Sequence, residues 1–113
     1  MNIEEIYLNN NGDFLIVSID NQVIGMGALR KINDKTAEIK RIRVNIKHQS
    51  QGIGLMILSR LIKEARKLGY KKVILDTTEN QKVAKKLYEK CGFKEFKRNK
   101  VANLGKIYYK LDL

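Results

Sequence analysis

The segment Gln49-Ser50-Gln51-Gly52-Ile53-Gly54 constrains this chain more than any other, because it joins an extended apolar run to a helix-patterned one. A helix N-terminus presents backbone N–H groups that lack intrahelical partners, and the aligned peptide dipoles add partial positive charge there. Gly52 and Gly54 have no Cβ atom, so an anion can approach the backbone closely and the turn can adopt a positive φ. The segment therefore predicts a phosphate-binding turn at the start of a helix.

Two common phosphate-binding loops do not fit the spacing of this segment. A Walker A loop has a Gly-Lys-Ser/Thr ending that is absent here, and a dinucleotide-binding fingerprint has a third glycine where this chain has Ile57. The turn is therefore of another kind.

Hydrophobic patterning predicts an α/β fold with a mixed sheet. Extended runs predict strands over 14–19, 22–30, 36–44 and 72–77, with a hairpin turn at Asp20-Asn21, and 93–97 and 106–111 are predicted to form a closing antiparallel pair around a polar loop. Apolar residues spaced by three and four predict a helix from Gln51 to Gly69. A second helix is predicted over 80–91, with Asn80 as N-cap, Val83 on its apolar stripe and Gly92 just beyond its end.

The third strand contains an irregularity in its apolar spacing. Ile42 and Val44 keep the two-residue period of a strand, whereas Ile39 lies three residues before Ile42. One extra residue, a β-bulge, would place all three side chains on one face. Alternatively, Ile39 packs on the other face of a sheet that is covered on both sides.

Composition indicates one globular domain over residues 1–113, with 43% hydrophobic and 31% charged residues. The net charge is +11 and is concentrated after residue 30, where the phosphate-binding turn lies; such a field attracts anions. A single cysteine, Cys91, no metal-ligand spacing and no signal peptide or long apolar run together predict a cytoplasmic protein with no metal and no membrane span.

Two motifs together resemble the Gcn5-related N-acetyltransferase (GNAT) family. Gln49 to Gly54 fits the acetyl-CoA loop of that family, Gln/Arg-x-x-Gly-x-Gly/Ala, and Asn80 to Phe93 is similar to its N-x-x-A-x-x-L-Y-x-x-x-G-F helix. The resemblance covers about residues 14 to 111. It implies a mostly antiparallel mixed sheet with a splayed parallel pair and flanking helices, acetyl-CoA as cosubstrate, and an amine as acceptor.

The resemblance also implies which residues contact acetyl-CoA. The loop Gln49, Ser50, Gln51, Gly52, Ile53 and Gly54 would hold the pyrophosphate, and Asn80 would bind the pantetheine arm, although Asn80 is equally well explained as an N-cap alone. Ile42, Arg43 and Val44 would act through their backbone groups, pairing with pantetheine as an added strand does.

Two side chains are predicted to be catalytic. Glu38 stands at the offset from the loop where some GNAT enzymes place a general base; the alternative is a surface glutamate paired with Lys40 or Arg41. Tyr88 matches the family tyrosine that protonates the departing thiolate, and its ring can pack in the core at the same time. His48 and Cys91 are interpreted as an exposed loop residue and a structural thiol.

The N-terminal part departs from the family pattern, because only about a dozen residues precede Phe14 where the family has a strand and two helices. Those helices normally form one wall of the acceptor site. A second copy of the chain, an unusually open site or a longer natural chain would each account for the difference. Asn45-Ile46 also stands where relatives often have a proline.

The sequence therefore predicts an acetyl-CoA-dependent N-acetyltransferase that transfers directly to a primary amine in a ternary complex. The basic surface disfavours polycationic acceptors, and the acceptor is a small molecule or a protein amine. The alternative is a binding module without turnover, for acyl-CoA or nucleic acid. The lack of a helix-turn-helix pattern or an aromatic stacking platform argues against nucleic acid.

Overall fold

Seven strands and two helices are present in the part of the chain that the computed structural model describes, residues 5–8, 14–49 and 52–113. The strands are β1 (Glu5–Leu8), β2 (Phe14–Ile19), β3 (Gln22–Lys31), β4 (Thr36–Val44), β5 (Lys72–Thr78), β6 (Lys94–Val101) and β7 (Leu104–Asp112). The helices are α1 (Ile53–Lys67) and α2 (Lys82–Lys90), and a 3₁₀ turn spans Ile46–His48.

The sheet has the order β1-β2-β3-β4-β5-β7-β6, and only β4 and β5 are parallel neighbours. Their ladder pairs Thr36–Glu38 with Lys72–Ile74 and then stops, although both strands continue. The remaining neighbours are antiparallel. This confirms the predicted mixed α/β sheet, mostly antiparallel, with a splayed parallel pair and flanking helices.

The predicted bulge in β4 is confirmed. Lys40 pairs with Ala28 and Arg43 pairs with Met26, so Arg41 and Ile42 together lie opposite one residue of β3. Within the bulge, Arg41 adopts a left-handed backbone conformation, with a φ of 57°. The extra residue returns Ile42 to the face that carries Ile39 and thereby bends the strand away from β5.

Both helices pack on one face of the sheet. Side chains from β2, β3, β4, β5 and β7 on this face are buried together with the apolar stripe of α1, and Tyr88 of α2 stacks against Tyr109 of β7 with ring centroids 6.0 Å apart. A Cβ atom at Gly25 or Gly27 would lie 2.8 Å from a side-chain atom of Ile57. Glycine at these two positions therefore allows α1 to lie close against β3.

The opposite face of the sheet carries half-buried side chains, and no helix of the described residues lies against it. Cross-strand register places on this face the apolar residues Phe14, Ile16, Met26, Ala28, Ile74 and Tyr108. Glu38 and Lys40 of β4 point to the same side.

Two details of the sequence-based prediction are corrected. Strand β1 was not predicted, although it pairs with β2 over four residues. The loop predicted between residues 97 and 106 belongs to a long hairpin, in which Ala102 and Asn103 form the turn with positive φ angles. Every residue of β6 is exposed, so no alternation of buried and exposed residues indicates that the predicted strand 93–97 continues to Val101.

The beginning of α2 also differs from the prediction. Gln81, not Asn80, is the N-cap residue, and it makes no side-chain capping hydrogen bond. Val83 is 84% exposed because the buried stripe of the helix runs through Ala84, Leu87 and Tyr88 instead. Gly92 has a φ of 94° just after the helix, and Gly69 has a φ of 90° after α1, as predicted.

Candidate active site

A cavity of about 450 Å³ lies where β4 and β5 separate. Its walls come from the second half of β4, the end of β5 and the inner side of α2: Glu38, Ile39, Lys40, Arg41, Ile42, Arg43, Leu75, Asp76, Thr77, Thr78, Gln81, Ala84 and Tyr88. Four of the predicted site residues, Glu38, Ile42, Arg43 and Tyr88, are brought together here although up to 50 residues separate them in the chain.

Tyr88 is fixed in the wall of this cavity by its ring. The ring packs against Phe93 and Tyr109 at centroid distances of 6.1 and 6.0 Å, and the residue is 9% exposed. Burial raises the pKa of the phenol above its usual value, the negative charge of Asp76 raises this pKa further, and Arg43 lowers it. Tyr88 therefore carries its proton at neutral pH and can act as a proton donor.

Glu38 lines the same cavity, and its side chain is 14% exposed. Its carboxylate accepts a hydrogen bond from Nε of Arg30 at 3.1 Å and forms an ion pair with Nη2 at 2.8 Å. The ion-pair partner is thus the directly opposite residue of β3, not Lys40 or Arg41 as the sequence suggested. Arg30 holds the carboxylate at the opening between the strands.

Two backbone carbonyls of splayed β4 are satisfied by side chains. Arg43 donates from Nη1 to the Ile42 carbonyl oxygen at 3.1 Å, and Gln49 donates from Nε2 to the Val44 carbonyl oxygen at 3.2 Å. Because this half of β4 has no paired strand on the β5 side, its backbone groups face the opening. They are placed where an extended ligand could pair with them.

The N-terminus of α1 has no side-chain cap among the described residues. Gly52 is the N-cap residue with a φ of 81°, no side chain caps the helix, and no acidic residue lies in its first turn. A Cβ atom at Gly54 would make only ordinary contacts, 3.6 Å from Leu87 and 4.0 Å from Val44. Gly52 is thus required by its backbone conformation, whereas a small side chain at position 54 would fit with ordinary van der Waals contacts. Ser50 and Gln51 lie outside the described residues.

The structure places Gln81, rather than Asn80, in the cavity wall. The Asn80 amide oxygen accepts a hydrogen bond from the Thr78 hydroxyl at 2.5 Å. Three residues separate Asn80 from Ala84, whereas the family pattern has two between its asparagine and alanine, so Gln81 stands at the position of the family amide. Counting back from Ala84 instead of forward from Asn80 would have identified it.

Several cavity residues were not singled out from the sequence. Asp76, Thr77 and Thr78 end β5, Lys40 precedes the bulge of β4, and Arg41 is part of the bulge. For the residues of β5, the available signal was their position at the carboxyl end of a parallel strand, where ligands bind in α/β sheets. Asp76 lies 3.7 Å from the ammonium of Lys106.

His48 is half-buried in the 3₁₀ turn, and Asn45 caps that turn through the backbone N–H of Lys47. Burial raises the pKa of the half-buried Cys91 thiol, which is therefore protonated at neutral pH, in agreement with a structural role. Within residues 5–8, 14–49 and 52–113, no cluster of three or more potential metal ligands occurs, and neither helix is both long and apolar enough to cross a bilayer.

Known proteins resemble this chain in sequence and in fold. The rat N-acetyltransferase 8F1 is 33% identical over 98 residues, which are 82% of this chain and 44% of the rat protein. The Bacillus subtilis protein YsnE, described as an uncharacterized N-acetyltransferase, is 35% identical over 74 residues, 64% of this chain and 49% of that protein. A GNAT acetyltransferase from Elizabethkingia anophelis, solved with acetyl-CoA bound, superposes with a TM-score of 0.79 at 26% identity and covers 88% of this chain and 75% of that one.

The chain spans about half the length of the curated relatives it matches. The profile described as "Acetyltransferase (GNAT) family" matches residues 2–93, which include β4, the glycine turn, both helices and Tyr88. The splayed strands β4 and β5, the N-terminus of α1 and Tyr88 all lie within these matched residues. The chain belongs to the GNAT family of acetyltransferases.

Proposed function

We propose that this protein is an acetyl-CoA-dependent N-acetyltransferase that transfers the acetyl group directly to a primary amine within a ternary complex. The observation that carries the proposal is the cavity between β4 and β5, because it joins a protonated phenol, a carboxylate and unpaired strand backbone in one place. The acetyl-CoA bound to the related Elizabethkingia enzyme supports acetyl-CoA as cosubstrate.

Acetyl-CoA would bind along the opening from the glycine turn to the cavity. Its pyrophosphate would accept hydrogen bonds from the backbone of Gly52, Ile53 and Gly54, and from the neighbouring Gln49, Ser50 and Gln51. The pantetheine arm would pair with the backbone of Ile42, Arg43 and Val44, as an added strand pairs with a sheet edge. Gln81 and Asn80 are the proposed amide contacts of the arm.

The proposed reaction uses one carboxylate and one phenol. Glu38 accepts the proton of the attacking amine, directly or through water, and the amine nitrogen forms a bond to the thioester carbonyl carbon. A backbone N–H near Ile42 stabilises the oxyanion that develops. Collapse of the intermediate breaks the C–S bond, and Tyr88 gives its proton to the departing thiolate. The phenolate is then reprotonated from solvent, and Glu38 releases to solvent the proton that it took from the amine.

Two further parts of the proposal concern the surroundings of the protein. A second copy of the chain is proposed to cover the open face of the sheet and to complete the acceptor wall, and a particle mass near 13 kDa in solution would contradict this. The free thiol of Cys91 and the lack of a spanning helix in the described residues support a cytoplasmic location.

Calorimetric titration with acetyl-CoA, followed in the same sample by thiol release against a panel of amines and peptides, tests the proposal. Binding followed by amine-dependent thiol release is the expected result. Binding that persists without release for any amine would favour the alternative, a non-catalytic acyl-CoA-binding module. A complete lack of binding would contradict the proposal at its first step.

A further inference from the structure

We infer that the amine acceptor is an α-amino acid, recognised through its own carboxylate by Lys40 and Arg41. The inference rests on the proposed function, since it takes Glu38 as the group beside which the amine lies. The chemistry of acetyl transfer does not determine which amine is the acceptor, whereas the charge of the cavity wall does indicate its class.

The cavity wall holds more cationic than anionic charge, and the anionic charge is already paired. The two acidic side chains of the wall are Glu38 and Asp76, and each has a cation from outside the wall: Arg30 at 2.8 Å and Lys106 at 3.7 Å. The wall contributes three cations of its own, Lys40, Arg41 and Arg43.

These three cations lack a carboxylate partner among the described residues. The Arg43 guanidinium donates to the Ile42 carbonyl oxygen, and no side chain of residues 14–49 or 52–113 forms an ion pair with Lys40 or Arg41. Like charges that share a cleft repel one another, and an anionic ligand relieves that repulsion. The wall is thus complementary to a negatively charged group.

The phosphates of acetyl-CoA are poorly placed to be that group. Their proposed binding site begins at Gln49 and Gly52, beyond the end of β4, whereas Lys40 and Arg41 lie at the bulge in the middle of the strand. Strand residues advance by about 3.3 Å each, so several residues of β4 separate the two regions. The pantetheine arm between them is uncharged.

The distance between the carboxylate of Glu38 and the nearby cations suits an amino acid. Glu38 and Lys40 alternate with Ile39, so both point to the open face of the sheet, with their Cα atoms about 7 Å apart along the strand. An amine beside Glu38 places a carboxylate on the adjacent carbon within reach of the long Lys40 side chain, and Arg41 follows at the bulge. An amine acceptor that carries no anionic group cannot neutralise these cations.

The test compares the common α-amino acids with their carboxamides as acceptors, each with saturating acetyl-CoA and thiol release as the readout. At least one free amino acid is expected to exceed its carboxamide in kcat/KM by about tenfold or more, as expected for a charge-assisted contact. In Lys40→Gln and Arg41→Gln, KM for that amino acid rises by about tenfold, while KM for acetyl-CoA and for the carboxamide stays unchanged. Lys63→Gln, an exposed lysine of α1 outside the cavity, is the matched control and behaves as the wild type.

The outcomes separate this inference from the function on which it rests. Equal or better transfer to carboxamides or to peptides, or transfer to no free amino acid while acetyl-CoA still binds by calorimetry, overturns the inference alone. A lack of acetyl-CoA binding overturns the proposed function with it. Thermal unfolding of each variant shows that a raised KM does not reflect loss of the fold.

Discussion

The two halves of β4 differ in pairing and in charge. The first half, Thr36–Ile39, is largely buried, with Ala37 fully inaccessible, and its residues Ala37 and Glu38 are paired on both sides. The second half follows the bulge at Arg41, has no partner on the β5 side, and has its carbonyls satisfied by the side chains of Arg43 and Gln49. One strand thus stabilises the sheet at one end and opens a ligand site at the other.

The bulge explains how this division is achieved. A continuous parallel ladder would close the space between β4 and β5, whereas a single extra residue bends β4 away after three paired positions. Backbone that is left unpaired by this bend is exposed to a ligand without any loss of core packing, since Ile42 and Val44 still contact the hydrophobic core.

The largest expected effect is on the chemistry of the open half. Tyr88→Phe removes the proton donor and keeps the ring contacts with Phe93 and Tyr109, so kcat is expected to fall by about 10²- to 10⁴-fold. Steady-state thiol release measures this, and calorimetry should show unchanged acetyl-CoA binding. Tyr109→Phe is the matched control, because Tyr109 is a buried ring of the same cluster that does not line the cavity; an equal loss there would remove the assignment.

Two isoleucines allow a direct comparison of how much each half of β4 contributes to the free energy of unfolding. Ile39 and Ile42 lie on the same strand and face, but Ile39 is 5% exposed and Ile42 only partly buried. Ile39→Ala is expected to lower the free energy of unfolding by about 2–4 kcal/mol and Ile42→Ala by about half as much. Urea unfolding measures both, and equal losses would show that the opening after the bulge does not weaken packing.

The side chain of Gln49 holds the open half to the glycine turn. Gln49→Met keeps roughly the length of the side chain and adds no charge, but it removes the donor to the Val44 carbonyl, which corresponds to about 1 kcal/mol. A rise of about fivefold in the Kd for acetyl-CoA is expected, with little change in kcat. Calorimetric titration gives the Kd, and a drop in kcat without any change in Kd would place Gln49 in the chemistry instead.

The 3₁₀ turn Ile46–His48, which connects β4 to the glycine turn, should tolerate proline. Ile46 is 82% exposed at the first position of the 3₁₀ turn, and Asn45 before it has φ −53° and ψ 136°, which suit a residue preceding proline. Ile46→Pro is therefore expected to raise the free energy of unfolding by about 0.5 kcal/mol. Thermal unfolding measures this, whereas Asn45→Pro, which removes the N–H that donates to Ile24 at 2.7 Å, should be destabilising.

The smallest expected effect is a shift in a titration. The pKa of Tyr88 is raised, chiefly by burial, so the neutral phenol is favoured in the folded state. This contribution to stability is fully present below the ordinary tyrosine pKa of about 10 and is lost as the pH rises through the raised value. The difference in phenolate absorbance between wild type and Tyr88→Phe should have its midpoint above about pH 10. A midpoint at or below that value would contradict the described environment.

The paired core of the sheet and the helix α1 were more predictable from the sequence than the ligand site. The apolar runs of β2 to β5, the helix from Ile53 and the glycines after both helices follow local rules, and even the bulge was visible in the spacing of Ile39, Ile42 and Val44. Local patterns do not identify a strand whose formation depends on pairing. Every residue of β6 is exposed; its beginning falls within the predicted strand 93–97, but its continuation to Val101 depends on the ladder with β7.

The residues of the candidate site were predicted from the resemblance to the GNAT family more than from hydrophobic patterns. Tyr88, Glu38, Ile42 and Arg43 do line one cavity. The ion-pair partner of Glu38, however, lies on the neighbouring strand β3, which the sequence around Glu38 cannot reveal. The replacement of Asn80 by Gln81 in the wall depends on where α2 begins, and helix boundaries are the least certain feature of a sequence pattern.

A crystal structure of the protein with acetyl-CoA bound would show directly where acetyl transfer takes place. We expect the pyrophosphate at the backbone of Gly52 to Gly54, the pantetheine arm paired with Ile42 to Val44, and the thioester sulfur within hydrogen-bonding distance of the Tyr88 hydroxyl. Acetyl-CoA bound elsewhere, or with its sulfur far from Tyr88, would contradict the claim that the opening between β4 and β5 is the site of acetyl transfer.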